Sequence, residues 1–157
     1  MKIEYQSIGV VHSTFKELQK VPNQSYYAKD VNGTVEVYPE FEPGLKDLDG
    51  FSHLFLICHF HMTADYRLHI VPSADTELRG LFATRSPKRP NPIGISIVRL
   101  NKIEKNILFI SDLDTLDGTP VIDIKPYVAE FERFTNVRVG WMKSARHTNM
   151  DSNNKKL

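Results

Sequence analysis

Three stretches of the sequence carry side chains whose type and spacing could do chemistry. The first is Phe82-Ala-Thr-Arg-Ser-Pro-Lys-Arg-Pro-Asn-Pro-Ile-Gly94. Three of the chain's nine prolines, Pro87, Pro90 and Pro92, fall within six residues there. Each proline fixes its own φ and drives the preceding residue towards extended backbone, so Ser86, Arg89 and Asn91 sit on a stiff strap. Arg85, Lys88 and Arg89 lie within five consecutive residues, and no acid occurs between Leu81 and Ile103. Donors on a stiff backbone have little entropy left to lose on binding, and a guanidinium fork suits a carboxylate or a phosphate. The plainer alternative is a rigid surface connector whose cations are merely solvated.

The second stretch runs from Leu113 to Tyr127. Asp114 and Asp117 flank a turn closed by Gly118 and Pro120, a setting in which Asp often just accepts from nearby backbone N–H groups. Asp123, Lys125 and Tyr127 alternate, so they should project from one strand face, while Val121, Ile122 and Ile124 contribute to packing. Pro126 ends ladder pairing and frees carbonyls near the strand end. A carboxylate, a cation, free carbonyls and an aromatic face suit a polar heteroaromatic base. A local Asp123–Lys125 ion pair is an equally good account of the same residues.

The third stretch, Phe51 to Met62, holds His59 and His61 two apart on a strand. That spacing can hold a metal, but without a clear third ligand it fits packed or hydrogen-bonded histidines better, and no metal site is expected. Other signatures are absent from the sequence. It has no glycine-rich dinucleotide loop, phosphate-binding loop, Gly-x-Ser-x-Gly elbow or His-Glu-x-x-His helix.

The elements that must position these residues are short strands. Ile8–Val11, Thr34–Tyr38, Leu54–Phe60, Ile93–Leu100, Ile107–Ile110 and Val121–Ile124 are rich in β-branched and aromatic residues. Strict alternation puts Ile93, Ile95 and Ile97 on one face and Gly94 and Ser96 on the other. Glu104-Lys105-Asn106 reads as a hairpin turn. The best short helix candidate lies within Pro43 to Leu48. Short strands at near-regular spacing predict an all-β fold with short helices, a single small β-barrel. Residues 1–142 form the predicted domain, with Trp141 packing near its end, and 143–157 a frayed tail.

Composition sets the limits. The chain has 157 residues, enough for one well-buried core, with 41% hydrophobic and 25% charged residues. A net charge of +1 argues against a protein that coats nucleic acid nonspecifically. The single cysteine, Cys58, excludes an internal disulfide and a Cys-based zinc site, and its apolar surroundings predict an inert buried thiol. With neither a secretory leader nor a membrane-spanning run in the sequence, the cytoplasm is the expected compartment.

Four motifs, Ile8-Gly-Val-Val-His-Ser, Gly50-Phe-Ser-His53, the strap Phe82–Gly94 and Asp117-Gly-Thr-Pro-Val-Ile-Asp-Ile-Lys-Pro-Tyr127, together resemble the TsaA-like family, whose characterised members are the TrmO transfer-RNA adenine methyltransferases. The resemblance implies a β-barrel, S-adenosylmethionine as methyl donor, a homodimer, and as acceptor the N6 amine of the threonylcarbamoyl-adenosine beside the anticodon of transfer RNA. By position, the donor site would draw on Pro22, Asn23, Gln24, His61, Met62, Arg85, Ile95 and the turn Asp114-Thr115-Leu116-Asp117. Family members usually carry arginine where this chain has Asn23. Asp123, or a carbonyl near Pro126, is the expected acceptor of the amine N–H, and Tyr127 the stacking ring. Lys88, Arg89, Asn91 and Lys125 are the expected contacts to the anticodon loop. Three other readings remain: a noncatalytic RNA-binding barrel, a methyltransferase with a different acceptor, and a metal-dependent hydrolase around His53, His59 and His61.

Overall fold

The computed structural model describes residues 1–73 and 75–142, so the expected tail at 143–157 lies outside the described residues. Its strands are β1 (Gly9–His12), β2 (Gly33–Val37), β3 (His53–His59), β4 (His69–Ile70), β5 (Arg79–Gly80), β6 (Ile93–Glu104), β7 (Ile107–Ser111) and β8 (Pro120–Pro126). Among the described residues, six of them close a barrel in the order β1-β2-β7-β6-β3-β8, and β4 pairs with β5 apart from it. Each of the six matches a stretch read as a strand from its β-branched and aromatic content. No helix among the described residues is long and apolar enough to cross a membrane.

Alternation decides what fills the barrel. Val11, Val35, Leu54, Leu56, Val98, Leu108, Ile110 and Val121 are fully buried in it. Removing each such side chain from water contributes about 1.5–3 kcal/mol. Along β6, Gly94, Ser96 and Val98 point inward, whereas Ile93, Ile95 and Ile97 point out. Gly94 has no room for a side chain, because an added Cβ would lie 2.1 Å from the Phe60 ring. The ring thus plugs the space that a larger residue would otherwise fill.

A bulge resolves the conflict between inward Val121 and outward Asp123, two residues apart on β8. The β3–β8 register slips between Ile57 and Cys58, so Val121 opposes Cys58 while Asp123 opposes Ile57. The helix expected within Pro43–Leu48 is instead a 3-10 helix at Pro39–Leu45, and a second 3-10 turn follows at Leu48–Gly50. Pro39 presets its first φ, and Pro43 lacks the N–H that a longer α-helix would need.

Every pairing in the barrel is antiparallel. The connections after β1, β3 and β7 therefore emerge at one end, with the strap inside the β3–β6 connection. The β2–β3 connection, the β6–β7 turn and the segment after β8 emerge at the other.

Candidate functional site

The three connections at the first end meet through specific hydrogen bonds. From the strap, Arg85 Nη1 donates to Gln24 Oε1 in the β1–β2 connection at 2.5 Å. The Ser25 backbone N–H beside Gln24 donates to the Asp114 carboxylate in the β7–β8 connection. Ser96 Oγ, on the inner wall, donates to Asp114 Oδ1 at 2.5 Å. Burial holds the Asp114 carboxyl above its usual range, and these donors only partly offset that effect. The charge of Asp114 in turn adds to burial in pushing the Cys58 thiol up to about 12, which makes it the inert thiol expected from its surroundings.

Other residues expected at a donor site lie in the same three connections. Pro22 and Asn23 precede Gln24 in the same connection, Thr115 is buried beside Asp114, and Leu116 is half-buried. His61 and Met62 are exposed in the turn that leaves β3, where the Phe60 N–H donates to the Pro92 carbonyl at 2.8 Å. The arrangement presents a half-buried carboxylate, a guanidinium and an amide at one barrel end. Such a set complements hydroxyls, a carboxylate and a cationic centre on one small ligand.

Other expected residues stand elsewhere. Asp117 faces the start of the β1–β2 connection, accepting from the Ser13 N–H at 2.9 Å and pairing with Lys16 Nζ at 2.6 Å. Lys16 first, and then Ser13, hold its carboxyl below the usual range. Ile95 lies on the outer wall, 65% exposed, with its back to Ser96. Asp123 and Lys125 also face out and form an ion pair at 2.8 Å, while Asp123 Oδ1 accepts the Ile124 N–H at 2.9 Å. Tyr127 packs against Phe55 with ring centroids 5.5 Å apart, and its N–H donates to the His53 carbonyl. That places it towards the opposite end, roughly 20 Å along β8 from the Asp114 connection.

The strap residues divide by role. Arg89 Nη1 donates to the Thr84 carbonyl at 3.0 Å, and its guanidinium lies 5.5 Å from the Phe82 ring centre. Lys88 and Asn91 are exposed. Trp141 packs as expected near the end of the described chain, donating from Nε1 to the Ala83 carbonyl at 2.8 Å beneath Arg79.

His53 and His59 sit at opposite ends of β3, which separates the histidines of the hydrolase reading. Among the described residues, no group of three or more His, Cys, Asp or Glu comes together in a metal-binding arrangement. The sequence reading did not single out Ser25 and Ser96 as site residues. The alternation of β6 was the available signal for Ser96, since it set that hydroxyl opposite the isoleucines. A backbone donor such as Ser25 leaves no mark in residue type.

The model of the tRNA-methyltransferase O N-terminal domain matches residues 10–133, which spans all three connections and every barrel strand but the first residue of β1. The chain belongs to that family. A protein of Pyrococcus abyssi named a probable S-adenosyl-L-methionine-binding protein is 54% identical over 147 residues, covering 94% of this chain and 80% of its own length. The tRNA (adenine(37)-N6)-methyltransferase of Escherichia coli is 36% identical over 152 residues, covering 90% of this chain and 65% of its own. The crystal structure of TrmO from Pseudomonas aeruginosa superimposes with a TM-score of 0.76 at 38% identity, over 89% of this chain and 62% of that one. The chain thus spans a little under two thirds of these two bacterial members of the tRNA-methyltransferase O family and most of the archaeal relative.

Proposed function

We propose that this chain transfers a methyl group from S-adenosylmethionine to an adenine amine of transfer RNA. The observation that carries the reading is the convergence of Gln24, Ser25, Arg85 and Asp114 from three connections onto one barrel end. The names of the relatives support the same donor and the same class of acceptor. The finer assignment is the N6 amine of threonylcarbamoyl-adenosine beside the anticodon.

The donor set fits the sulfonium nucleoside by its chemistry. Arg85 would hold the amino-acid carboxylate, and Asp114 would accept from ribose hydroxyls or face the sulfonium. Bound there, the donor supplies a methyl group that is already electrophilic. The protein's task is to hold an amine with a delocalised lone pair in line with that methyl and to accept its N–H.

Asp123 and Tyr127 are proposed for the second task, and Lys88, Asn91 and Lys125 for contacts to the anticodon loop. Because Asp123, Lys125, Tyr127 and Ile95 share the outer wall, they can serve a donor at a barrel end only in a homodimer. Exposed Ile93, Ile95 and Ile97 beside half-buried Phe55 and Ile57 supply the apolar face that such an assembly would cover. Incubating the protein with methyl-labelled donor and bulk transfer RNA should give labelled N6-methylated adenosine. Absence of label in RNA, with donor bound, would overturn the reading in favour of a noncatalytic barrel or another acceptor.

A further inference from the structure

Two adjacent aromatic rings stand at the donor end without any part in the fold. Tyr26 is 84% and Tyr27 68% exposed, and neither belongs to the barrel core. Their rings meet edge to face, with centroids 5.3 Å apart and planes at 85°. In that arrangement the edge of one ring covers a face of the other and leaves further π-surface open to solvent.

The backbone beneath them is braced on both sides. Gln24, just before them, receives Arg85, and the Ser25 N–H is held by Asp114. Ala28, just after them, is fully buried, and its N–H donates to the Ser25 carbonyl at 2.9 Å. Rings held this way lose little freedom when a ligand stacks on them.

The charges nearby favour a polyanion. Lys16 and Lys20, in the same connection, are each neutralised by a carboxylate at 2.6 Å. Among the described residues, Lys29 in the tyrosines' own connection and Lys88 in the strap form no such pair. Exposed rings with uncompensated cations in the same and the adjoining connection suit single-stranded nucleic acid, in which phosphates meet the cations and bases meet the rings.

We propose that Tyr26 and Tyr27 form a stacking platform for an unpaired nucleobase of the RNA substrate, beside the donor site. This rests on the transfer-RNA reading for its substrate, yet it can be tested separately. An anticodon stem-loop oligonucleotide would be titrated by fluorescence anisotropy into the parent protein, Y26A/Y27A and Y26F/Y27F, with donor affinity measured by calorimetry on each. The alanine pair should weaken RNA binding by roughly fivefold or more for each ring that stacks a base. Its donor affinity and the salt dependence of its RNA binding should match the parent, and the phenylalanine pair should bind RNA as the parent does. Unchanged RNA affinity in the alanine pair, or donor affinity lost in step, would overturn the platform. The methyl-transfer assay on the parent reports on the enzyme reading alone. A parent that methylates transfer RNA while the alanine pair keeps its RNA affinity and KM would sink the platform and leave the enzyme standing.

Discussion

Ser96 donates its hydroxyl to Asp114 Oδ1 at 2.5 Å, so a side chain of the barrel wall aims the carboxylate of a loop. Hydrogen bonds to a charged group contribute about 1.5–3 kcal/mol, and part of that should be expressed in how Asp114 meets its ligand. Ser96→Ala should therefore weaken donor binding by about tenfold in calorimetry, with the barrel's circular dichroism retained. Equal affinity in parent and variant would mean that Asp114 does not face the donor.

Arg85 is exposed and spends one nitrogen on Gln24. Arg85→Ala should cost donor affinity about tenfold or more and leave the melting temperature nearly unchanged. Arg85→Lys should recover only part of the loss, because an ammonium keeps the charge without the fork. Full recovery by lysine would argue against paired contacts to a carboxylate.

Lys88 and Arg89 are neighbours with different expected outcomes. Lys88→Ala should weaken transfer-RNA binding and lower the slope of log affinity against log salt by about one. Arg89→Ala should instead lower stability by about 1–2 kcal/mol, since it removes the donor that reaches the Thr84 carbonyl across the strap. Denaturant unfolding separates the two, and an Arg89 variant of unchanged midpoint would return that residue to the RNA contacts.

Asp114 and Asp117, two of the three acids in the β7–β8 connection, should titrate with opposite effects on stability. Lys16 and Ser13 hold Asp117 below the usual 3.8, so its contribution is present above that pH and lost as pH falls through the folded value. Burial holds Asp114 above 3.8, so its contribution is present below that pH and lost as pH rises through the folded value. At neutral pH, Asp117→Asn should lower the melting temperature, whereas Asp114→Asn should raise it while weakening donor binding. Scanning calorimetry across pH 3 to 8 checks both signs, and a drop for Asp114→Asn would reverse the assignment.

Ile95 faces solvent at 65% exposure between Ile93 and Ile97. Ile95→Asp should convert a dimer to monomers in light scattering and lower methyl transfer with it. A parent that is monomeric at assay concentration would remove both the interface and the shared-wall role of Asp123 and Tyr127.

The strands were legible in the sequence because β-branched and aromatic residues cluster wherever a pleated surface is half-buried. The faces were harder to read. Isoleucines at 93, 95 and 97 suggest a core, yet a six-stranded barrel is narrow, and Gly94, Ser96 and the Phe60 ring fill it at that level. The β4–β5 hairpin escaped notice because two residues per strand leave no alternation to count. Residue types flagged Arg85 and Asp114, but they gave Asp117 the same weight. Only the partners Lys16 and Ser13 reveal that Asp117 fastens the β7–β8 connection to the β1–β2 connection. Likewise, alternation grouped Asp123 with Lys125 and Tyr127, and it could not tell that their common face turns away from the loop end.

Ring closure has a dynamic consequence. An open sheet frays from its outermost strand, where a single ladder gives way, but each of the six barrel strands is flanked on both sides. Peeling any one of them must rupture two ladders together, so opening of the frame is all or none. The molecule thus combines a shut hoop with three loops hooked to one another, and whatever enters must be gripped by those loops.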